Sequence, residues 1–325
     1  MTDALSDSAS NGWRETPCPV CAEVSWGPAD PVFRAGDSEP FPVQACTVCG
    51  LRRLGALLDP AAASRYYSAG YYAQEKASSD FRTHVKQVLE GAGEWLPDAL
   101  RTFISISLVP RAPHAGARLL DVGCGSGNLM VRARTLGWDV VGTELSDATA
   151  AVARARGLSV LTGCWEGQLQ PRSFDLIVLN HVIEHVANPR NLLKTLAEAL
   201  AVRGQIHIGL PDFGCVQSRL FGGAWWANLP PEHVWFFERR HVAALVTAAG
   251  LKPLEWRDLN RVAAQLRPAI WRHQWAVWRT SGGNALGFAS RLGACLAAAA
   301  LPGIDVAIPQ ARNVSTMYTV VCARA

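Results

Sequence analysis

Residues 118–130 read RLLDVGCGSGNLM, and the fold follows from how this stretch is parsed. Arg118 to Val122 is a short apolar run suited to a buried strand. Gly123, Gly125 and Gly127 make a turn free of side-chain bulk, and a helical pattern starts at Asn128. A strand that feeds a glycine turn and then a helix is the nucleotide-type binding corner of an open α/β sheet. Outward from this corner, strands are expected at 139–143, 158–161, 174–179 and 205–209, with helices at 129–136, 148–156 and 188–200. Such alternation points to a parallel sheet covered by helices on both faces. A helix at 240–249 closed by Gly250, a sixth strand at 252–259 and a final strand at 316–322 complete the expected domain.

The turn is GxGxG and not the dinucleotide GxGxxG, because Asn128 stands where the last glycine would fall. Asp121 precedes it inside the strand end. A backbone cradle beside an acid suits a cationic amino-acid moiety better than a pyrophosphate. Glu144, at the end of the second strand, is where a carboxylate accepts both hydroxyls of a ribose.

With 325 residues, 49% of them hydrophobic, 18% charged and a net charge of +4, the chain has ample material for a core. That charge is too mild to argue for a nucleic-acid partner. Residues 1–16 open on the polar MTDALSDSASNG, which reads as a disordered tail without a signal-peptide pattern. The best apolar run, 292–304, is broken by Gly and Pro and falls short of the roughly 20 residues a membrane span needs. The nine cysteines are not dense enough for a secreted disulfide scaffold, so a cytoplasmic chain with reduced thiols is expected.

Four of those cysteines form two CxxC pairs, Cys18 with Cys21 and Cys46 with Cys49, within residues 17–54. Two such knuckles fill a tetrahedral thiolate set for a structural Zn²⁺. Gly50 supplies the positive φ that such a turn often needs, and residues 42–45 alternate as in a short β-ribbon. The basic residues here are few, which favours a folding staple over nucleic-acid binding. Residues 55–114 are expected to be a helical linker or lid, with helices at 78–89 and 100–108. Its Tyr-rich stretch at 66–72 either packs under a loop or reaches the cofactor or substrate with a phenol such as that of Tyr72.

Asp121-Val122-Gly123-Cys124-Gly125-Ser126-Gly127 together with Glu144 resembles the first two motifs of the class I S-adenosylmethionine-dependent methyltransferases. Residues 174–185, FDLIVLNHVIEH, resemble their strand-four motif. The resemblance covers roughly 115–260 within an expected methyltransferase domain at 115–325. The order of zinc ribbon, Tyr-rich segment and core is similar to bacterial enzymes that methylate sugars, polysaccharides and secondary metabolites. The resemblance implies a Rossmann-like seven-stranded sheet with the last strand antiparallel, preceded by a small zinc ribbon. It implies that Asp121, Gly123, Gly125 and Gly127 hold the methionine end of S-adenosylmethionine and that Glu144 holds the ribose. Cys164 and Trp165 would lie against the adenine, where many relatives carry an Asp, so that contact would rest on backbone or on stacking by Trp165. Asn180, just after the fourth strand within that motif, joins the expected cofactor contacts.

Residues 213–240, FGCVQSRLFGGAWWANLPPEHVWFFERR, interrupt the sheet after its fifth strand. Such an aromatic loop suits an acceptor site. Its alternative is a small satellite core. His233 in this insert is the first candidate base for a hydroxyl acceptor, and His181, just beyond strand four, the second. Trp271, Trp275 and Trp278 recur at helical spacing within 261–303 among arginines. They either pack inward or offer a peripheral membrane contact. The expected activity is methyl transfer to a small molecule or glycan, at oxygen. The alternatives are C-methylation of a nucleotide-linked sugar and a non-catalytic binding protein with a degenerate core. The acceptor and the oligomeric state are not written in the sequence.

Overall fold

The computed structural model describes residues 13, 15–37, 39–57, 109–163, 165–259, 268–300 and 317–325. The Tyr-rich stretch and the helices at 78–89 and 100–108 lie outside these residues, and so does most of the expected tail. Trp13 within that tail is buried and its indole N–H donates to the Leu54 carbonyl at 2.7 Å, so order starts before residue 17. Two compact units are present. One comprises Met1–Ile106, Pro211–His241 and Asp258–Met317, and the other Ser107–Leu210, Val242–Arg257 and Tyr318–Ala325.

The second unit is a seven-stranded mixed α/β sheet with helices, the Rossmann-like architecture. Its strands are β4 (Arg118–Val122), β5 (Asp139–Thr143), β6 (Ser159–Leu161), β7 (Phe174–Asn180), β8 (Leu200–Pro211), β10 (Leu251–Leu259) and β11 (Met317–Arg324), in the order β10-β11-β8-β7-β4-β5-β6. Parallel ladders join β6 to β5, β5 to β4, β4 to β7 and β7 to β8. The chain reverses direction across the sheet between β4 and β7, and the carboxyl ends at such a switch point are where ligands bind. Leu119, Leu176 and Val178 share one face of the sheet with Val140 and Val160. Their neighbours Leu120, Ile177 and Leu179 are equally buried and point to the opposite face. Burial on both sides explains why the β7 sequence FDLIVLN is apolar almost throughout.

Local chemistry sets the helix starts. Helix α1 (Asn128–Thr135) begins directly after Gly127, whose φ of 81° is left-handed. Helix α2 (Asp147–Ala155) is capped by Ser146, whose side chain accepts from the Thr149 N–H. Helix α3 (Pro189–Ala199) is capped by Asn188 and carries Pro189 in its first turn. Both caps are the residue types that satisfy orphan N–H groups. Met130, Ala133, Ala150 and Ala153 from α1 and α2 close one face of the sheet.

The first unit contains a four-stranded antiparallel sheet. Its strands β1 (Trp26–Val32), β2 (Phe41–Cys46) and β3 (Arg52–Leu54) come from the cysteine-rich segment. The fourth, β9 (Trp235–Phe236), comes from the aromatic insert and pairs with β3. The insert is more ordered than a loop. It contains α4 (Val216–Phe221) and two 3₁₀ turns (Gly222–Ala224 and Trp226–Asn228) before β9. The Gln217 side-chain oxygen accepts from the indole N–H groups of both Trp225 and Trp226 at 3.0 Å, which closes the insert on itself. Helix α5 (Arg239–Ala248) leads back into the β-sheet unit.

Two further helices, α6 (Pro268–Thr280) and α7 (Ala285–Ala300), belong to the first unit. Trp271 and Trp275 of α6 meet Phe288 of α7, and Phe221 meets Trp271, Trp278 and Phe288, with ring centroids 5.0–6.2 Å apart. The three tryptophans thus share one aromatic cluster, while Arg272 and Arg279 are exposed. Among the described residues no helix is long and apolar enough to cross a membrane.

Candidate cofactor site and metal cluster

The glycine turn follows β4 and is held to the end of β5. The Cys124 N–H donates to the Thr143 carbonyl at 2.8 Å, and the Gly123 N–H to Thr143 Oγ1 at 3.3 Å. Gly123, Gly125 and Gly127 have φ of 70°, 55° and 81°, a region that residues with a Cβ rarely adopt. A Cβ on Gly127 would also sit 2.2 Å from Leu158 Cδ1 and 3.3 Å from Ala153 Cβ. The glycine is therefore needed both for its backbone and for the close approach of α2.

Glu144 is 8% exposed and spans the mouth of this turn. Its Oε2 accepts from the Gly125 N–H at 3.0 Å and its Oε1 from the Ser146 N–H at 2.9 Å. Each oxygen keeps a lone pair for a further donor, which is what the two hydroxyls of a ribose require. Asp121, 4% exposed, has no hydrogen-bond or salt-bridge partner among the described residues. Burial, and then the Glu144 carboxylate beside it, push its carboxyl up from 3.8 to about 7. An acid buried beside a second acid is relieved by a cation placed between them. S-adenosylmethionine carries an ammonium and a sulfonium, so the residues fit that group.

This geometry has a pH consequence. Between 3.8 and about 7 the folded chain holds a proton on Asp121 that the unfolded chain has lost. Stability of the ligand-free protein therefore falls as pH rises through that window. A cationic ligand prefers the ionised form, so its affinity rises over the same interval, roughly tenfold from pH 6 to pH 7.5. Calorimetric titration with S-adenosylmethionine at both pH values checks this, and Asp121→Asn should flatten the dependence. A level affinity in the parent protein would remove Asp121 from the cation site.

Asn180 ends β7 in register with Gly209 of β8. A Cβ on Gly209 would meet the Asn180 side-chain oxygen at 2.7 Å, so the glycine makes room for that amide. His181 follows with φ 54°, a left-handed value that is uncommon for a residue with a side chain. Its N–H donates to the Gly209 carbonyl at 2.8 Å, and its Nδ1 lies 3.2 Å from Oε1 of Glu184, which is fully buried. With a carboxylate as acceptor, Nδ1 carries the proton and Nε2 is left as a base on a half-exposed ring. Val182 Cγ2 stands 3.0 Å from where a Cβ on Gly123 would be. The turn carrying His181 therefore lies directly on the glycine turn.

His233 is placed differently. It is 2% exposed in the first unit, its Nδ1 is 3.0 Å from the Ala227 carbonyl, and its ring meets Phe213 edge-on. Trp165 is 6% exposed and leads into a 3₁₀ turn at Glu166–Gln168. Cys164 and Tyr72 lie outside the described residues. Thr143, Ser146 and the pairing of Glu184 with His181 are absent from the sequence reading. Thr143 had one available signal, its position beside Glu144 at a strand end.

In the first unit, the Sγ atoms of Cys18, Cys21, Cys46 and Cys49 all lie within 4.8 Å of one another. Cys18 and Cys49 are 3.5 Å apart, and Cys21 and Cys46 3.4 Å. A tetrahedral Zn²⁺ with Zn–S near 2.3 Å sets sulfurs about 3.8 Å apart. The backbone N–H groups of Val20 and Cys21 point at Cys18, and those of Val48 and Cys49 at Cys46. Gly50 has φ 75°. Burial pushes the Cys18 thiol well up and that of Cys49 to about 11, a penalty that a dication offsets by binding the thiolates. The donor set, spacing and N–H support fit a closed zinc site.

Comparison with known proteins identifies similar chains. A family model described as a methyltransferase domain matches residues 93–255. A ubiquinone biosynthesis O-methyltransferase from Ruegeria sp. (strain TM1040) is 29% identical over 180 residues, 51% of this chain and 70% of that protein. One from Cereibacter sphaeroides is 30% identical over 187 residues, 48% of this chain and 76% of its own length. Among solved structures, an S-adenosylmethionine-dependent methyltransferase from Thermotoga maritima is 26% identical, with a TM-score of 0.39, covering 49% of this chain and 72% of that one.

Proposed function

The chain belongs to the methyltransferase-domain family and is an S-adenosylmethionine-dependent methyltransferase, and from that premise we propose that it methylates an oxygen of a small-molecule acceptor. The observation that carries the proposal is the His181–Glu184 pair in the turn whose Val182 packs on Gly123. The names of the curated relatives, which specify O-methylation, support it.

The sulfonium supplies a methyl group that is already reactive. The chain's own residues have three tasks. Asp121 and the glycine turn receive the cationic methionine end, and Glu144 fixes the nucleoside through its ribose. His181 takes the proton of an acceptor hydroxyl at Nε2, while Glu184 holds the ring and stabilises the imidazolium. His233, whose Nδ1 lies 3.0 Å from the Ala227 carbonyl, is the second candidate. In this proposal the aromatic insert at 213–240 shapes the acceptor site, and Cys18, Cys21, Cys46 and Cys49 hold a structural Zn²⁺.

His181→Ala should lower kcat by about 10²–10⁴ with unchanged affinity for S-adenosylmethionine. His233→Ala should leave a larger share of turnover. Turnover of labelled methyl donor in cell extract, followed by identification of the labelled product, tests the proposal. A labelled O-methyl ether supports it, and a new carbon–methyl bond on a nucleotide-linked sugar would replace it.

A further inference from the structure

We infer that the four-cysteine ribbon is a metal-dependent clamp on the aromatic insert, with His241 as its latch. The inference rests on the proposed reading of that insert as the acceptor site, and it adds what holds the insert in shape.

Ribbon and insert meet along one continuous seam inside the first unit. Strand β9 pairs with β3, Arg52 opposite Phe236 and Arg53 opposite Trp235. The Leu54 N–H extends that ladder to the Val234 carbonyl at 3.0 Å. At the other end of the ribbon the Phe33 N–H donates to the Gly223 carbonyl at 2.9 Å. The Arg34 guanidinium donates to the Pro230 carbonyl at 2.8 Å and pairs with Glu232, which is 1% exposed. The hydrophobic centre is also shared. Trp235 of the insert is fully buried, with ring centroids 5.0 Å from Trp13 and 6.1 Å from Trp26 of the cysteine-rich segment.

His241 ties this seam to the metal cluster itself. Its Nδ1 accepts from the Glu238 N–H at 3.1 Å, so the ring proton is on Nε2, which donates to the Cys49 carbonyl at 3.1 Å. The last cysteine of the cluster and the end of the insert are thereby joined through one imidazole. The ribbon has strands of only 7, 6 and 3 residues, and the fully buried Trp235 packs against its Trp26 and against Trp13. Metal binding in such a module is folding free energy, so the metal orders the insert as well as the ribbon. The residues proposed to receive S-adenosylmethionine belong to the other unit.

The test compares full-length protein as purified with the same protein stripped by a chelator. Zinc content, tryptic cleavage at Arg219 in α4, and calorimetry with S-adenosylmethionine are the readouts. The clamp predicts one zinc per chain, at least tenfold faster cleavage at Arg219 after stripping, and affinity for S-adenosylmethionine within threefold. His241→Ala should speed both that cleavage and the loss of zinc to the chelator. His241→Gln, which retains an N–H for the Cys49 carbonyl, should restore most of the protection.

A protein without zinc, an insert that stays protected after stripping, or a His241→Ala protein indistinguishable from the parent would each overturn the clamp. So would S-adenosylmethionine affinity collapsing along with protection, because the metal would then hold the whole fold. Absence of S-adenosylmethionine binding before stripping strikes the reading of the cofactor site instead, and the cleavage and zinc readouts still decide the clamp.

Discussion

Replacing Glu144 by alanine is expected to weaken binding of S-adenosylmethionine by about 10²–10⁴-fold. Two losses combine. The ribose forfeits both hydrogen bonds to a charged acceptor, each worth about 1.5–3 kcal/mol. The Gly125 and Ser146 N–H groups, now held by the two carboxylate oxygens at 3.0 and 2.9 Å, also lose their partner. Gly125 belongs to the turn proposed to cradle the methionine end, so the turn relaxes together with the ribose contact. Glu144→Gln keeps one acceptor oxygen and should fall between the parent and the alanine variant. Calorimetry on all three proteins, with circular dichroism to show that the sheet persists, measures this. An alanine variant that binds within threefold of the parent would mean that Glu144 does not hold the nucleoside.

The second large effect is expected at Gly223. A Cβ there would lie 1.9 Å from the Pro31 carbonyl oxygen and 3.1 Å from its carbon. These are backbone atoms of β1, so no rotamer change relieves the clash. Gly223→Ala must push the end of β1 away from the insert and break the Phe33–Gly223 hydrogen bond. Overpacking of this kind costs about 1–3 kcal/mol, and the lost hydrogen bond about 0.5–1.5 kcal/mol more. Thermal unfolding followed by tryptophan fluorescence should show a midpoint several degrees lower. Gly293→Ala is the matched control. It lies in α7 with nothing within 4 Å of its Cβ and should be neutral or slightly stabilising. Equal midpoints for Gly223→Ala and the parent would show that β1 and the insert are not in contact.

How much of this was legible in the sequence depended on the range of the forces involved. β4 at 118–122 and β5 at 139–143 have the bounds the sequence suggests, because glycines and polar residues punctuate a short apolar run. β8 is longer than expected, 200–211 against 205–209, because Leu200 already pairs with Phe174 of β7 and the ladder resumes at Gln205 after a register shift, an irregularity that a local pattern does not signal. The Asp121–glycine–Glu144 triad was readable because its members are close in sequence and their types are restrictive. In the sequence the insert reads as a loop because α4 and β9 are too short to signal themselves. They exist through Gln217 bridging two indoles and through pairing with β3, which lies about 180 residues earlier. The sequence ranks His233 ahead of His181 as candidate base, and the proposal reverses that order. Only the fold shows His233 sealed against Ala227 and Phe213, and His181 half-exposed beside a buried carboxylate.

The most direct test of the central claim is a single-turnover reaction with S-adenosylmethionine labelled in the methyl group, using purified protein and a fractionated extract as acceptor. The account predicts that label appears in a small-molecule fraction in step with release of S-adenosylhomocysteine, and that Glu144→Ala abolishes both. Tight binding of S-adenosylmethionine with no methyl transfer to any fraction would contradict it.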